Sequence, residues 1–97
     1  MKILWTQTAI DRLSEIHDYI KKDSPINAQR WVESLLGKIS KLSDLPKIGR
    51  KVPEINSESI RELIFGNHRI IYKMTGDSIY LMTIRHFKQI LPTEEIK

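Results

Sequence analysis

Five residues of the C-terminal half carry side chains suited to acid–base or phosphate chemistry. They lie within or near two largely apolar stretches, residues 60–72 and 79–86, and are Glu54, Arg69, Lys73, Tyr80 and His86. Arginine and lysine bind phosphate groups, and an imidazole can transfer protons near neutral pH. Since none of the five belongs to a self-sufficient motif such as a phosphate-binding loop or a nucleophile elbow, their chemistry depends on how the strands position them.

The two stretches predict three consecutive antiparallel strands with a defined register. The turn at residues 66–67 is Gly-Asn, a dipeptide suited to a tight hairpin, and it places Ile64 opposite Arg69. A second turn within residues 75–78 places Arg69 opposite Ile84, whether the loop has two or four residues. Because side chains alternate between the faces of a strand, this register fixes which residues share a face.

The predicted sheet carries polar groups on two faces that are both apolar in the middle. One face has Arg69, Lys73, Tyr80 and His86, and the other has Arg61, His68 and Arg85. The first set is the candidate active or target-binding face, with ordinary cross-strand pairing of solvated ends as the alternative interpretation. In an antiparallel sheet with one solvated face, polar and apolar side chains should alternate along each strand. Because neither predicted face is polar throughout, we expect something beyond this chain to cover one of them.

Length and composition restrict the class of protein. The 97 residues suit a single domain spanning 1–97, and the absence of cysteine excludes disulfides and thiolate metal sites. Neither a secretory signal nor an apolar run of about 20 residues is present, which predicts a cytoplasmic protein. The net charge of +4 favours an acidic partner, either nucleic acid or protein, and no residue pattern calls for a metal or other cofactor.

The N-terminal half predicts a helical hairpin. A capping-box-like start at Thr8 opens a helix over residues 8–22, and Ser24 followed by Pro25 ends it and opens a second that extends to about residue 43. Apolar residues recur at helical spacing along both helices, namely Leu13, Ile16, Ile20, Trp31, Leu35 and Ile39. With a short strand at residues 2–5, the element order is β-α-α-β-β-β, which predicts an α+β fold with the hairpin packed on a small antiparallel sheet.

Several short elements follow one another along nearly the whole chain. They are Ile3-Leu-Trp-Thr6, the helical series Ala9, Leu13, Ile16, Tyr19 and Ile20, then Leu42 with Leu45-Pro46 and Gly49-Arg50, Val52-Pro53-Glu54, Ile60-Arg61-Glu62-Leu63, His68-Arg69-Ile-Ile-Tyr72 and Ile84-Arg-His86. In this order and spacing they resemble the RelE/ParE superfamily of type II toxin–antitoxin toxins, also known as the plasmid stabilisation family.

The resemblance implies a growth-inhibiting protein that forms a complex with a cognate antitoxin, which lies along apolar grooves. The helical stripe of Leu13, Ile16, Ile20, Trp31, Leu35 and Ile39 is the expected antitoxin-binding surface. The superfamily divides into members that poison DNA gyrase and members that cleave mRNA in the ribosome. The long hairpin and the strand at residues 60–63 look closer to the ParE branch, so gyrase is the favoured target.

The alternative is a RelE/YoeB-like mRNA interferase, a metal-independent endoribonuclease. In that case Glu54, Arg69 and His86 would be catalytic, with Arg69 on the scissile phosphate. Ile64 and Phe87 stand where nucleases of the superfamily carry arginine and tyrosine, which leaves the nuclease set incomplete. Whether the chain is an enzyme therefore stays open at this point, and a scaffold that only binds its antitoxin is a third hypothesis.

Overall fold

The computed structural model describes residues 1–96 and contains the predicted helical hairpin. Helix α1 spans Gln7–Asp23 and helix α2 spans Pro25–Ser40, and a short 3-10 turn, Lys41–Ser43, continues the second helix. Ser24 caps α2 as predicted, since its hydroxyl accepts a hydrogen bond from the Asn27 amide at 3.2 Å. Among residues 1–96, no helix is long and apolar enough to cross a membrane.

Helix α1 begins one residue earlier than predicted, and its cap is Thr6 rather than Thr8. The Thr6 hydroxyl oxygen accepts from the Ala9 amide at 3.1 Å and donates to the Leu81 carbonyl at 2.8 Å. One side chain thus closes the first turn of α1 and ties it to the sheet. Local sequence could not distinguish the two threonines, because the deciding bond goes to a residue 75 positions away.

Within residues 1–96, five strands form one sheet in the order β1-β5-β4-β3-β2. Their bounds are β1 Lys2–Trp5, β2 Arg50–Lys51, β3 Ile60–Phe65, β4 His68–Thr75 and β5 Ser78–His86. The α+β prediction is confirmed, but the sheet is mixed rather than wholly antiparallel, because β1 pairs with β5 in parallel. Parallel neighbours need a long connection, and the helical hairpin supplies part of it.

The register between β3 and β4 is the predicted one, with Ile64 opposite Arg69. Between β4 and β5 the prediction holds only up to the pair of Tyr72 and Leu81, because Met82 is an extra residue that forms a β-bulge. Beyond the bulge every partner shifts by one position. Arg69 therefore lies opposite Arg85 instead of Ile84, which corrects the predicted register.

The helices cover one face of the sheet, here called the helix face. Ala9, Leu35 and Ile39 from the helices pack there against strand residues that include Ile70 and Ile84, and all five are buried. Trp5, Trp31 and Phe65 border this main core. Burial of these side chains is the principal stabilising contribution to the packing of the hairpin on the sheet.

The opposite face, here called the outer face, is partly covered by this chain itself. Val52 and the C-terminal residues Leu91 and Ile96 pack on Ile71 and Met82 to form a second, smaller core. The expectation that something beyond the chain covers an apolar face is thus wrong for this part of the sheet. The last residues gave no local sign of it, since they return to the sheet only in the folded chain.

Candidate functional site

Arg69 lies at the centre of a cluster of ionised groups on the outer face. Its guanidinium makes two hydrogen bonds to Glu54, at 2.7 and 2.8 Å, and three to Glu62, the shortest at 2.5 Å. Arg50 adds a further ion pair to Glu62 at 3.0 Å. Glu62 and Arg69 are buried, whereas the Glu54 side chain is 46% exposed. Glu62 pairs with Ile71, and Arg69 lies two residues from Ile71 on the same face of β4. Glu62 and Arg69 are therefore diagonal neighbours across the two strands.

This cluster keeps Glu54 and Arg69 ionised. The hydrogen bonds from Arg69 lower the pKa of Glu54 to about 2, although partial burial opposes that shift. The same bonds to Glu54, followed by those to Glu62, raise the pKa of Arg69. A phosphate group could reach the guanidinium only by displacing a carboxylate from these charge-assisted hydrogen bonds. The Arg69 guanidinium is therefore already paired with two carboxylates of its own chain.

Of the three residues predicted for a nuclease, the structure brings together Glu54 and Arg69 but not His86. The bulge at Met82 moves His86 onto the helix face, opposite His68, whereas the predicted register placed it with Arg69. The physical reason is the parity change that one inserted residue causes in a strand. Arg85 makes the reverse move and joins Arg69 on the outer face.

His68 and His86 form an aromatic group with Trp31. The two imidazole centroids lie 5.5 Å apart, and His68 is 5.6 Å from Trp31, both in edge-to-face arrangements. Burial, and to a smaller extent the charge of His86, lowers the pKa of His68. The Nδ1 atom of His86 accepts a hydrogen bond from the Lys88 amide at 3.1 Å, so the proton of a neutral His86 ring lies on Nε2.

The two imidazoles line an open groove between α1 and the end of the sheet, here called the histidine groove. Its other lining residues come from α1 and from the segment after β5, and the full set is Glu15, Ile16, Tyr19, Ile20, His68, His86 and Gln89. The cavity volume is about 540 Å³. Within residues 1–96, no three histidine, aspartate or glutamate side chains are grouped closely enough to hold a metal ion.

Lys73 and Tyr80 lie on the outer face with Arg69, as the predicted register placed them. They are directly opposite each other on β4 and β5, before the bulge, so its shift does not affect them. Tyr80 is 36% exposed and Lys73 is half-buried. Neither side chain makes a hydrogen bond or ion pair to another part of the chain within the described residues. They form the accessible polar part of the predicted target-binding face.

The apolar helical stripe predicted to bind an antitoxin belongs mostly to the main core. Leu35 and Ile39 are buried between the hairpin and the sheet. Leu13 and Trp31 pack against the same core. The predicted packing of the hairpin on the sheet already occupies much of the apolar side of both helices. Ile16 and Ile20 differ, because both also line the histidine groove and are only half-buried.

Because its pKa is lowered on folding, Glu54 is expected to make stability depend on pH. Its contribution is fully present above its ordinary pKa of 4.5 and is lost as the pH falls toward 2. We expect Glu54→Gln to lower the free energy of unfolding at pH 7 by about 1 kcal/mol, a small value because solvent screens this half-exposed group. Urea unfolding of both proteins from neutral pH down to about pH 2 should show the two curves converging.

Glu33→Gln is the matched control for that measurement, since Glu33 is exposed on α2 and forms no ion pair within residues 1–96. The free energy of unfolding of Glu33→Gln is expected to equal that of the wild type at every pH measured. A constant difference between wild type and Glu54→Gln down to about pH 2 would contradict the proposed ion-pair effect.

Comparisons with known proteins identify relatives over almost the full chain. A family model described as "ParE toxin of type II toxin-antitoxin system, parDE" matches residues 3–91. A protein named "Putative toxin Y4kP" from Sinorhizobium fredii is 33% identical over 93 residues, covering 94% of this chain and 93% of that protein. Toxin RelE2 of Caulobacter vibrioides is 30% identical over 86 residues, covering 88% of this chain and 93% of its own.

A solved structure described as "Chromosomal ParDE TA system from P. aeruginosa" shares the fold. The superposition has a TM-score of 0.74 at 21% sequence identity and covers 89% of this chain and 95% of that one. At this identity the likeness concerns the fold alone. The hairpin on a small sheet is therefore an architecture also found in a solved toxin–antitoxin system.

Proposed function

Because this chain belongs to the ParE toxin family of type II toxin–antitoxin systems, we propose that it inhibits growth by poisoning DNA gyrase and that a cognate antitoxin neutralises it. The toxin class follows from the family match over residues 3–91. The match to the ParE model favours gyrase as the target, because the resemblance of the sequence to the ParE branch implies that activity. The similar fold in a solved ParDE TA system supports an antitoxin as the partner.

One structural observation carries the choice of gyrase over RNA cleavage: the candidate nuclease residues do not share a site. Arg69 is held by Glu54 and Glu62 on the outer face, while His86 lies on the helix face beside His68. General acid–base catalysis requires its groups within hydrogen-bonding reach of one reacting phosphate. A toxin that acts by binding a target has no such requirement.

Lys73 and Tyr80 are the residues we propose for contact with gyrase. They are adjacent, accessible and on the outer face, and an aromatic ring beside a cation suits a protein interface. For the antitoxin we propose the histidine groove, where Ile16 and Ile20 offer partly exposed apolar surface. The two surfaces lie on opposite sides of the sheet.

The experiment is a supercoiling assay with purified gyrase, plasmid and toxin. We expect the wild-type chain to inhibit supercoiling and to accumulate cleaved plasmid. Tyr80→Ala is expected to raise the inhibitory concentration about tenfold, which corresponds to a loss of about 1.4 kcal/mol of binding energy. Tyr19→Ala is the matched control, because Tyr19 is 73% exposed but lies on α1 in the histidine groove.

Absence of inhibition and of trapped cleavage, with toxin well in excess of gyrase, would count heavily against this proposal. The RelE/YoeB-like mRNA interferase is the second candidate, supported by the relative named Toxin RelE2 and by the pair of imidazoles in the histidine groove. Primer extension on mRNA from cells that express the toxin distinguishes the two. Cuts at fixed positions within codons would favour the interferase.

A further inference from the structure

The C-terminal segment crosses the outer face and places one carboxylate over strand β5. Leu91 and Ile96 are buried in the second core, whereas Ile90 between β5 and these anchors is 94% exposed. A single 3-10 turn, Thr93–Glu95, is the only regular structure within residues 87–96. Glu95 lies in this turn, and its side chain is 11% exposed.

Among the described side chains, five hydrogen-bond donors from three residues converge on this carboxylate. The Thr83 hydroxyl and Arg85 Nε both donate to Oε1 at 2.8 Å, and Arg85 Nη2 donates to Oε2 at 2.6 Å. Arg12 Nη2 and Nε also donate to Oε2, at 3.0 and 3.3 Å. Arg12 belongs to α1, so its side chain reaches Glu95 past the edge of β5, where β1 has ended at Trp5.

Two guanidinium groups, those of Arg12 and Arg85, share the Glu95 carboxylate. Arg85 lies directly opposite Arg69, and like charges in that position repel. Arg69 is neutralised by two carboxylates of its own, whereas within residues 1–96 Arg85 is paired with Glu95 alone. Glu95 also serves Arg12, whose second partner, Glu15, is 63% exposed.

The geometry also suits an anion with more than two oxygens. Oε2 of Glu95 accepts three donors, and those from Arg12 are the longest of the five bonds. A phosphate group has enough oxygens to give each guanidinium one of its own and can carry two negative charges. Both properties match two arginines and a hydroxyl better than one carboxylate does.

We propose that Arg12, Thr83 and Arg85 form a phosphate-binding site that Glu95 occupies as an internal ligand in the isolated chain. The site becomes available when the C-terminal segment lifts from the outer face. Its ligand is a phosphate group, supplied either by free phosphate or by the backbone of a nucleic acid. The proposed site does not depend on whether the target is gyrase or mRNA, because it concerns phosphate binding by the isolated chain.

The test compares phosphate binding by the full-length wild type, Glu95→Ala and the matched control Glu94→Ala. Glu94 is the exposed neighbour, so its replacement removes the same charge without opening the site. Isothermal titration with inorganic phosphate measures the affinity. A parallel titration with sodium chloride of equal ionic strength shows how much of the signal comes from salt screening. We expect Glu95→Ala to bind phosphate at least about tenfold more tightly than the other two proteins.

Further variants and ligands identify the site and the source of the phosphate. Adding Arg85→Gln to Glu95→Ala should abolish the gained affinity, because it removes two of the five donors. A short single-stranded oligonucleotide that binds more tightly than inorganic phosphate would identify nucleic acid as the source. Equal affinity per phosphate group would identify the free ion, and both results support the site.

Three results would overturn the proposal. They are equal phosphate affinity in Glu95→Ala and Glu94→Ala, persistence of binding after Arg85→Gln, and acetate binding as tight as phosphate binding. The last would identify a carboxylate site, which suits an acidic peptide instead. If Glu95→Ala does not fold, Glu95→Gln replaces it, and a phosphate-dependent rise in its melting temperature beyond that of Glu94→Gln is the required result.

Discussion

Arg69→Ala is expected to lower the free energy of unfolding by about 3–5 kcal/mol, because it leaves the buried carboxylate of Glu62 without its main partner. Glu62 has no exposed side-chain surface, and Arg69 supplies three hydrogen bonds to it. Within residues 1–96 the one remaining cation in contact with Glu62 is Arg50, which is itself 56% exposed and cannot compensate fully. Urea unfolding at neutral pH, analysed with a common slope, measures the loss.

Arg50→Ala is the control for Arg69→Ala. It removes a cation from the same carboxylate but from the solvent side, so the expected loss is less than about 1 kcal/mol. Adding Glu62→Gln to Arg69→Ala should recover part of the stability, since a neutral amide is less costly to bury than an unpaired charge. Equal losses in Arg69→Ala and Arg50→Ala would show that the buried pair does not hold this cluster together.

This prediction affects how toxicity data on Arg69 should be interpreted. A nuclease hypothesis assigns Arg69 to the scissile phosphate, and loss of toxicity in Arg69→Ala would be consistent with that role. The structure offers a different cause, because a destabilised protein is also less abundant in cells. Activity should therefore be measured on protein whose folded fraction is known. Lys73 and Tyr80 are better residues for a functional test, since neither takes part in a described ion pair.

Leu35→Ala is expected to lower the free energy of unfolding by about 2–5 kcal/mol, because Leu35 is fully buried between the helices and the sheet. Loss of its methyl groups leaves a cavity that the hairpin cannot readily close. Leu36→Ala is the matched control, since its neighbour Leu36 is 43% exposed, and its expected loss is below about 1 kcal/mol. Thermal and urea unfolding of the two variants give the comparison.

The same pair of variants separates a core role from an antitoxin-binding role. If the stripe through Leu35 contacted the antitoxin directly, Leu35→Ala would weaken the complex and leave the free toxin stable. We expect the reverse, a destabilised toxin, because the sheet already occupies that side of α2. Ile16 and Ile20, which line the histidine groove, are the members of the stripe at which weakened antitoxin binding is expected.

Local patterns correctly predicted the elements whose structure depends on nearby residues. The Ser24-Pro25 pair defined the junction of the two helices, and the Gly-Asn turn at residues 66–67 fixed the register of β3 and β4. That register already placed Glu62 and Arg69 on one face as diagonal neighbours. Their ion pair was therefore available from the sequence, although its buried state was not.

The sequence alone determined the helical hairpin and the three consecutive strands, because helical periodicity and tight turns depend on neighbouring residues. Its short motifs also carried the resemblance to a toxin family. Only the tertiary structure decided where His86 and Arg85 point, since no local signal marks the bulge at Met82, whose side chain packs in the second core. It likewise decided that Glu95 meets Arg85. An apolar pattern shows which side of a strand is buried, but contacts between distant segments determine what covers it.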